Sequence, residues 1–181
     1  MRVIAGKYRS RLLYEISNEY TRPTKDKNRE MVFNVLGQYF DGGVALDLFA
    51  GTGALGIEAI SRGIDKCYFV DNNNLAHNVI KENLKSLKID LSTLYKMDYR
   101  SFLSSYSHLK FDLVFLDPPY NLNVCYEILN ELVKNEQIND GALIVIEVDV
   151  NLEKQSVDER LELLKEKEVR NTRFEFYEFR G

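Results

Sequence analysis

The stretch of sequence that decides the fold is VALDLFAGTGALG, which occupies residues 44–56. It opens with a short apolar run typical of a buried strand and continues with glycines in the spacing Gly-x-Gly-x-x-Gly, at Gly51, Gly53 and Gly56. Glycines at such a turn let the backbone approach a ligand closely, and the helix that follows offers free backbone N–H groups. The stretch therefore predicts a strand, a tight turn and a helix around a nucleotide-like cofactor. Dinucleotide-dependent oxidoreductases share this pattern, so the glycines alone do not choose the cofactor.

Apolar runs and amphipathic patterns alternate along the rest of the chain. The pattern predicts strands at residues 44–49, 67–71, 92–96, 111–116 and 142–148. It predicts helices at residues 25–40, 54–62, 75–87 and 124–133, and a loop or frayed helix at 151–160. Strands that alternate with helices in this way predict an α/β fold, a parallel sheet covered by helices on both faces.

Both ends of the chain depart from this alternation. Residues 161–170 and 172–179 are separated by about one residue, Asn171, a link too short for a parallel crossover, and we expect an antiparallel hairpin there. Residues 1–14 alternate apolar and polar side chains around Gly6-Lys7, which predicts a hairpin at the amino end. We therefore expect an amino-terminal hairpin and helix extension over residues 1–40 and a main domain over residues 41–181.

Composition restricts the class of protein. Hydrophobic residues make up 45% and charged residues 29% of the 181 residues, a globular balance without the run of about 20 apolar residues that spans a bilayer. Cys67 and Cys125 stand alone, which indicates no metal site and a reducing compartment. We therefore expect a cytoplasmic protein, without a secretory signal at its amino end. His77 and His108 have no partner at catalytic spacing, and we expect them at the surface.

The charge is unevenly distributed along the chain. The net charge is −4, yet residues 1–29 hold eight Lys and Arg against three Asp and Glu. The remainder carries 16 basic and 25 acidic residues. A basic arm on an acidic body is typical of a surface that contacts phosphates. A solvated basic hairpin without a partner explains the same charges.

Acidic residues follow the predicted strands, at the sheet edge where open α/β sheets bind ligands. They are Asp47, Asp71, Asp98, Asp117 and Glu147. Asp71, 20 residues after Gly51, is placed to accept both ribose hydroxyls. Asp47 suits a cationic amine or sulfonium better than a pyrophosphate, and Asp98 could accept an adenine amine. Acids at strand ends also cap helices or form turns, and for Glu147 we prefer that interpretation.

The most specific motif is Asp117-Pro118-Pro119-Tyr120, directly after the most apolar predicted strand. Two successive prolines stiffen a loop and leave its carbonyl oxygens free to accept hydrogen bonds. The amine of a nucleic-acid base is a poor nucleophile because its lone pair is delocalised into the ring. The Asp117 carboxylate and the Pro118 carbonyl can each accept one amine N–H, and Tyr120 can stack on an extruded base. A plain proline turn is the alternative interpretation.

These motifs together resemble the bacterial 16S ribosomal RNA guanine-N2 methyltransferases of the D type, which belong to the class I methyltransferases. The resemblance is carried by FAGTGALG at residues 49–56, by Asp117-Pro118-Pro119-Tyr120, and by the block that contains Arg22-Pro23-Thr24, Arg29-Glu30 and Phe33-Asn34. The opening MRVIAGK, with Arg9 and Arg11, is similar to the amino-terminal hairpin of that family. The resemblance covers most of the chain and is weakest over residues 100–110 and 150–172.

The resemblance implies a Rossmann-like, mostly parallel sheet of seven strands in which the last strand is inserted antiparallel. It implies S-adenosylmethionine as cofactor, S-adenosylhomocysteine as product, and a guanine of 16S ribosomal RNA as substrate, within a partly assembled small subunit. We expect a monomer without a metal. The expected cofactor contacts are Asp47, Phe49, Gly51, Gly53, Asp71, Asn72, Asp98 and Tyr99. The expected RNA contacts are Arg2, Lys7, Arg9, Arg11, Arg22, Thr24 and Lys25.

This sequence departs from its relatives after the second strand. Asp71 stands where they often have a glutamate, and Asn72-Asn73-Asn74 lacks a further acid that some of them carry. The Asp71 side chain is one methylene shorter than that of glutamate and so reaches less far towards the ribose. Alternative functions are a methyltransferase for DNA adenine or for protein glutamine, a non-catalytic RNA-binding assembly factor, and a NAD-dependent oxidoreductase. The last of these leaves Asp117-Pro118-Pro119-Tyr120 without a role.

Overall fold

The computed structural model describes residues 1–16, 26–119 and 121–181 of the chain. The helices in these ranges are α1 (Asp26–Leu36), α2 (Ala54–Ser61), α3 (Asn74–Leu87), α4 (Tyr99–Ser105) and α5 (Cys125–Lys134). The strands are β1 (Val44–Asp47), β2 (Lys66–Asp71), β3 (Thr93–Lys96), β4 (Phe111–Leu116), β5 (Ile138–Asp149), β6 (Leu161–Val169) and β7 (Thr172–Phe179). No helix in the described part of the chain is long and apolar enough to cross a bilayer.

The strands form a single seven-stranded sheet in the order β3-β2-β1-β4-β5-β7-β6. Strands β1 to β5 pair parallel with one another, and the buried apolar side chains lie on both faces of the sheet. Because the chain leaves β1 in one direction for β2 and returns to β4 on its other side, the order reverses between β1 and β4. In open sheets of this kind, ligands bind outside the carboxyl ends of the strands at such a point. The predicted α/β fold is confirmed.

The carboxyl-terminal hairpin is also confirmed. Strand β7 lies between β5 and β6 and pairs antiparallel with both. Its turn consists of Arg170 and Asn171, and Arg170 adopts a positive φ of 57°. Strand β7 is almost fully buried, whereas β6 forms the sheet edge with charged, exposed side chains. Such charges on an edge strand oppose pairing with another chain.

Several boundaries differ from the sequence-based prediction. Helix α1 ends at Leu36 instead of residue 40, because Gly37 follows with a φ of 120°, outside the helical region. Helix α4 was not predicted, since it has only seven residues and about two turns carry little periodicity. Strand β5 begins at Ile138, four residues early, and its pairing with β4 is irregular near Phe111. The polar segment 151–160 is a loop, as expected.

The amino-terminal arm, residues 1–16, packs on helix α2. The predicted hairpin is present as a short antiparallel pairing around a turn that covers residues 5–10. Its bridge joins Arg2 and Leu12, the Val3 N–H donates to the Arg11 carbonyl at 2.9 Å, and the Leu13 N–H donates to the Met1 carbonyl at 3.1 Å. The buried Glu58 carboxylate accepts the backbone N–H groups of Ile4 at 2.8 Å and Ala5 at 3.0 Å. The division of the chain at residue 40 stays a prediction.

The arm approaches α2 closely at Gly6. This residue has a φ of 81°, and a Cβ there would overlap the backbone carbonyl of Ser61. The Ser61 carbonyl accepts the Lys7 N–H at 2.7 Å, and the Ser61 hydroxyl oxygen accepts the Tyr8 N–H at 2.9 Å. The arm is therefore fixed to the body of the protein by backbone hydrogen bonds.

We expect Gly56→Ala to destabilise the protein. Gly56 lies in α2 against β2, and a Cβ would lie 2.6 Å from the Cys67 Sγ and closer still to the Phe69 ring. Overpacking of this kind costs about 1–3 kcal/mol, against a gain of about 1 kcal/mol in helix propensity. Urea unfolding should show a net loss, and Phe69→Leu in the same chain should restore part of it because it makes room. Additive losses in the double variant would contradict the packing explanation.

Candidate active site

A cavity of about 820 Å³ opens at the carboxyl edge of the parallel strands. The loops that follow β1, β2, β3 and β4 line it, as do the end of the arm, helix α1 and the turn between β6 and β7. All five acids that follow predicted strands line this one cavity: Asp47, Asp71, Asp98, Asp117 and Glu147. Glu147 lies within β5 and is half-buried, so its interpretation as a cap or turn residue is wrong.

The glycine turn after β1 forms one wall of the cavity. Gly51 has a φ of 55°, and a Cβ there would meet no atom within 4 Å, so the backbone is exposed to the cavity. Gly53 precedes α2 with a φ of 76°, and no side chain caps this helix start. A Cβ on Gly53 would instead contact Ile80 and Phe69 in the core. Gly51 is therefore open to a ligand, whereas Gly53 lies behind the wall and turns the chain.

Asp47 ends β1 and is almost fully buried. Its Oδ2 atom accepts the Gly56 N–H at 3.0 Å, which ties the strand to the first turn of α2. The pKa of Asp47 is raised from 3.8 to about 7, chiefly by burial and also by the nearby Asp117 and Asp71 carboxylates, against the lowering effect of the Gly56 hydrogen bond. A buried, poorly solvated carboxylate of this kind favours a cationic ligand.

Asp71 ends β2 and holds the two neighbouring turns. Its Oδ2 atom accepts the Gly51 N–H at 2.9 Å, and its Oδ1 atom accepts the Asn73 N–H at 2.8 Å. Burial raises the pKa of Asp71, and these two hydrogen bonds oppose the shift. Each carboxylate oxygen keeps a further lone pair for a ligand hydroxyl. Asn72, which follows, is exposed and lines the cavity.

The loop after β3 carries Asp98 and Tyr99. Asp98 is exposed and caps α4 by accepting the Arg100 N–H at 2.9 Å. The Tyr99 ring packs against Phe49 with centroids 5.3 Å apart, and both residues line the cavity. The Tyr99 hydroxyl is buried and has no hydrogen-bond partner among the described residues. Since a buried hydroxyl without a partner is costly, this atom fits a site completed by a polar ligand.

Asp117, Pro118 and Pro119 follow β4 and line the cavity. In the sheet, β4 lies on one side of β1, and β2, which ends at Asp71, lies on the other. Asp117 is half-buried, Pro118 is buried and Pro119 is exposed. The Pro119 carbonyl accepts the Leu122 N–H at 2.8 Å, which closes a turn. The predicted stacking residue Tyr120 lies outside the described residues.

The four described residues among the expected RNA contacts do not line this cavity. Arg2, Lys7, Arg9 and Arg11 are exposed on the arm, and none of them lines the cavity wall. Arg11 also donates to the Ser86 carbonyl at 3.2 Å. The other three, Arg22, Thr24 and Lys25, lie outside the described residues. His77 is half-buried and His108 exposed, and neither lines the cavity.

Several cavity residues were missed from the sequence. They come from α1, from the loop after β4 and from the β6–β7 hairpin: Lys27, Asn28, Met31, Asn121, Leu122, Val169, Arg170 and Thr172. The hairpin was predictable, because an antiparallel last strand starts at the edge where the parallel strands end. Among the described residues, no group of three or more His, Cys, Asp or Glu side chains could hold a metal ion.

The chain is similar to proteins of known family and structure. The family described as "Conserved hypothetical protein 95" matches residues 1–178. "Putative rRNA methyltransferase YlbH" of Bacillus subtilis is 40% identical over 156 residues, 84% of this chain and 85% of the relative. "Ribosomal RNA small subunit methyltransferase D" of Haemophilus influenzae is 35% identical, with 82% and 79% of the two chains covered. A solved Escherichia coli structure, "Putative methyltransferase yhhF", has a TM-score of 0.88 at 31% identity and covers 99% of this chain and 98% of its own.

Proposed function

The chain belongs to the Conserved hypothetical protein 95 family, and on that premise we propose that it transfers a methyl group from S-adenosylmethionine to the exocyclic N2 of a guanine in 16S ribosomal RNA. One observation carries the proposal: Asp117 and Pro118 line the same cavity as the glycine turn and the acids Asp47 and Asp71. The loop that would hold the amine, at Asp117 and Pro118, and the acids that would bind a cationic nucleoside, Asp47 and Asp71, therefore line a single cavity. The names of the relatives support RNA as the substrate.

The residues on the β1–β3 side of the cavity fit the cofactor. The Asp71 carboxylate would accept the ribose hydroxyls, and the buried Asp47 would face the positive charge. Asp98 and the unpartnered Tyr99 hydroxyl would hold the adenine end, beside Phe49. Gly51, in the turn after β1, and Asn72, in the loop after β2, would also contact the cofactor. The cofactor, when bound, supplies an electrophilic methyl group on a sulfonium.

The residues after β4 would hold the acceptor amine. Two N–H groups of the guanine amine would be shared between the Asp117 carboxylate and the Pro118 carbonyl, which localises the nitrogen lone pair and aims it. The amine loses a proton once it is methylated, and Asp117 or water takes it, so no strong general base is required. Pro119 stiffens the loop, and Tyr120 would stack on the extruded base.

The amino-terminal arm would bind the RNA backbone. Its exposed cations Arg2, Lys7, Arg9 and Arg11 would contact phosphates, and Arg22, Thr24 and Lys25 continue the same basic segment. We propose that the substrate is the RNA of a partly assembled small subunit in the cytoplasm and that the enzyme acts as a monomer. The residues of the extension, 1–40, then serve RNA binding, and residues 41–181 serve catalysis.

Methyl transfer to small subunits that lack the modification tests this function. We expect labelled S-adenosylmethionine to give N2-methylguanosine at one 16S nucleotide, identified by nuclease digestion and mass spectrometry. Deproteinised 16S RNA, DNA oligonucleotides and glutamine-containing peptides are the comparison substrates. Label that enters only DNA or protein, or that appears in a different nucleoside, would contradict the proposal. A protein that binds small subunits and S-adenosylhomocysteine but transfers no label would be a non-catalytic assembly factor.

Binding of small-subunit RNA should weaken steeply with salt. Four phosphate contacts by the arm predict a slope of log affinity against log salt of about −3. We expect Arg9→Ala to reduce the magnitude of this slope by about 0.8, since one contact is lost. Lys165→Ala, on the exposed edge strand β6, is the matched control and should leave the slope unchanged. Equal slopes for all three proteins, measured by filter binding, would exclude Arg9 from the RNA contact.

A further inference from the structure

Asn83 is a fully buried amide on helix α3. It lies on the apolar face that this helix turns to the core, next in sequence to the buried Leu84. Burial of an amide is costly unless its polar atoms are hydrogen-bonded, and an apolar side chain would serve the core at this position. The presence of an amide at this core position is therefore explained by the hydrogen bonds that it makes.

Those hydrogen bonds join two separate parts of the molecule. The Asn83 Oδ1 atom accepts the Tyr14 N–H at 2.7 Å, and the Nδ2 atom donates to the Tyr14 carbonyl at 3.1 Å. The same Nδ2 atom donates to the Thr52 carbonyl at 3.0 Å. Tyr14 belongs to the basic arm, and Thr52 lies between Gly51 and Gly53 in the turn that lines the cavity. One side chain thus holds the arm and the glycine turn together.

Helix α2 connects the same two parts a second time. It continues directly from the glycine turn, and Asp47 fixes its first turn through Gly56. Near its other end, Glu58 and Ser61 hold the arm backbone. Helix α2 therefore gives the turn and the arm a second structural connection besides Asn83.

We propose that Asn83 is a positioning residue that couples the arm to the glycine turn, so that cofactor binding at the turn and RNA binding on the arm strengthen each other. The inference rests on the proposed function for the identity of both ligands. A ligand that orders the turn fixes the Thr52 carbonyl, the Asn83 amide and the Tyr14 backbone in sequence. Because such coupling is reciprocal, RNA on the arm raises the affinity for the cofactor by the same factor.

Hydrogen exchange of the arm tests the coupling without RNA. Amide exchange of residues 11–14 is measured by mass spectrometry with and without saturating S-adenosylhomocysteine, whose binding is first established by calorimetry. In the wild-type protein we expect the ligand to slow this exchange at least fivefold, the lower end of the usual range of allosteric coupling. Asn83→Asp keeps the acceptor for the Tyr14 N–H and removes both Nδ2 donors, and Asn83→Leu removes all three bonds. In both variants we expect the ligand to slow exchange less than twofold.

Gln137→Ala is the matched control for lost stability. Gln137 is also a fully buried amide, and it donates to the Tyr106 carbonyl at 3.3 Å near the start of β5, at the opposite edge of the sheet. This variant should lose stability and keep the fivefold effect. An Asn83 variant that keeps the effect overturns the coupling, as does a wild-type protein that binds the ligand without slower exchange. A wild-type protein that fails to bind S-adenosylhomocysteine overturns the proposed function, and the coupling with it.

Discussion

Replacement of Asp117 by alanine should lower the rate of methyl transfer about 10³-fold, an increase in the activation barrier of about 4 kcal/mol. The physical reason is that the acceptor amine loses the carboxylate that localises its lone pair and aims it. Cofactor affinity at pH 7 should not fall, because Asp117 raises the pKa of Asp47 and its removal favours the ionised form of that acid. Single-turnover rates and calorimetric titration with S-adenosylhomocysteine separate the two effects.

Asp112→Ala is the matched control on the same strand. Asp112 lies near the amino end of β4, where its Oδ2 atom accepts the Val44 N–H at 2.8 Å, away from the cavity. This variant should lose some stability and retain its single-turnover rate. If Asp117→Ala retained a rate within threefold of the wild type, Asp117 would have no part in the reaction, and the proline loop would be a structural turn.

Asp47→Asn should affect stability and binding in opposite directions. At pH 8 the wild-type protein without ligand keeps a buried, poorly solvated carboxylate, and asparagine removes that charge while it keeps an acceptor for the Gly56 N–H. We expect thermal unfolding to shift upward by about 4–8 °C, for a net gain of about 2 kcal/mol. The affinity for S-adenosylhomocysteine should fall about 10–100-fold, because the α-ammonium group, the positive charge that this product shares with the cofactor, loses its carboxylate partner.

The stability effect should depend on pH with a definite sign. The pKa of Asp47 is about 7 in the folded protein, against an ordinary value of 3.8. Well below pH 3.8 both states are protonated, and the folded state is not penalised. Between about pH 4 and pH 7 the unfolded state releases its proton first, so the wild-type protein loses stability as the pH rises. The advantage of Asp47→Asn should therefore be small at pH 4, vanish at lower pH and approach its full size above pH 7.

Asp65→Asn provides the comparison for this effect. Asp65 also accepts a backbone N–H, from Gly43 at 3.0 Å, but its side chain is exposed at the other edge of the sheet. Its replacement should leave the ligand affinity unchanged. An Asp47→Asn protein that melts lower than wild type at pH 8, with unchanged ligand affinity, would show that Asp47 serves only to hold α2.

The sequence was most informative where one physical pattern dominates. The alternation of apolar strands with amphipathic helices predicted the parallel sheet, and the single-residue link at Asn171 predicted the antiparallel hairpin. The acids were placed together because parallel strands end at one edge. Helix α4 was missed because a seven-residue helix capped by Asp98 resembles a turn in sequence. Helix α1 was overextended because the periodicity of Lys25 to Tyr39 continues past Gly37, whose positive φ ends the helix.

The remaining site residues depend on contacts between distant parts of the chain. Lys27, Asn28 and Met31 line the cavity only because α1 packs beside the glycine turn, and no local pattern reveals this. The roles of Asn83 and Glu58 are similarly hidden, since a buried polar residue in a helical pattern looks like an imperfect apolar face. Their roles become visible only once the arm is in place. The partner of Asn83, Tyr14, lies 69 residues away from it in the sequence.

The insertion of β7 between β5 and β6 has a consequence for the order of assembly during synthesis. A chain emerging from the ribosome presents its amino-terminal elements first, so the glycine turn, Asp47 and Asp117 are available before the last strand. Thr172 and the turn at Arg170 complete the cavity wall. The pairing of β7 with β5 joins residues as distant in sequence as Leu143 and Glu178. A nascent chain therefore lacks a closed cavity until β7 has left the ribosome and paired with β5. Under the proposed function, the protein becomes able to methylate ribosomal RNA only after that pairing.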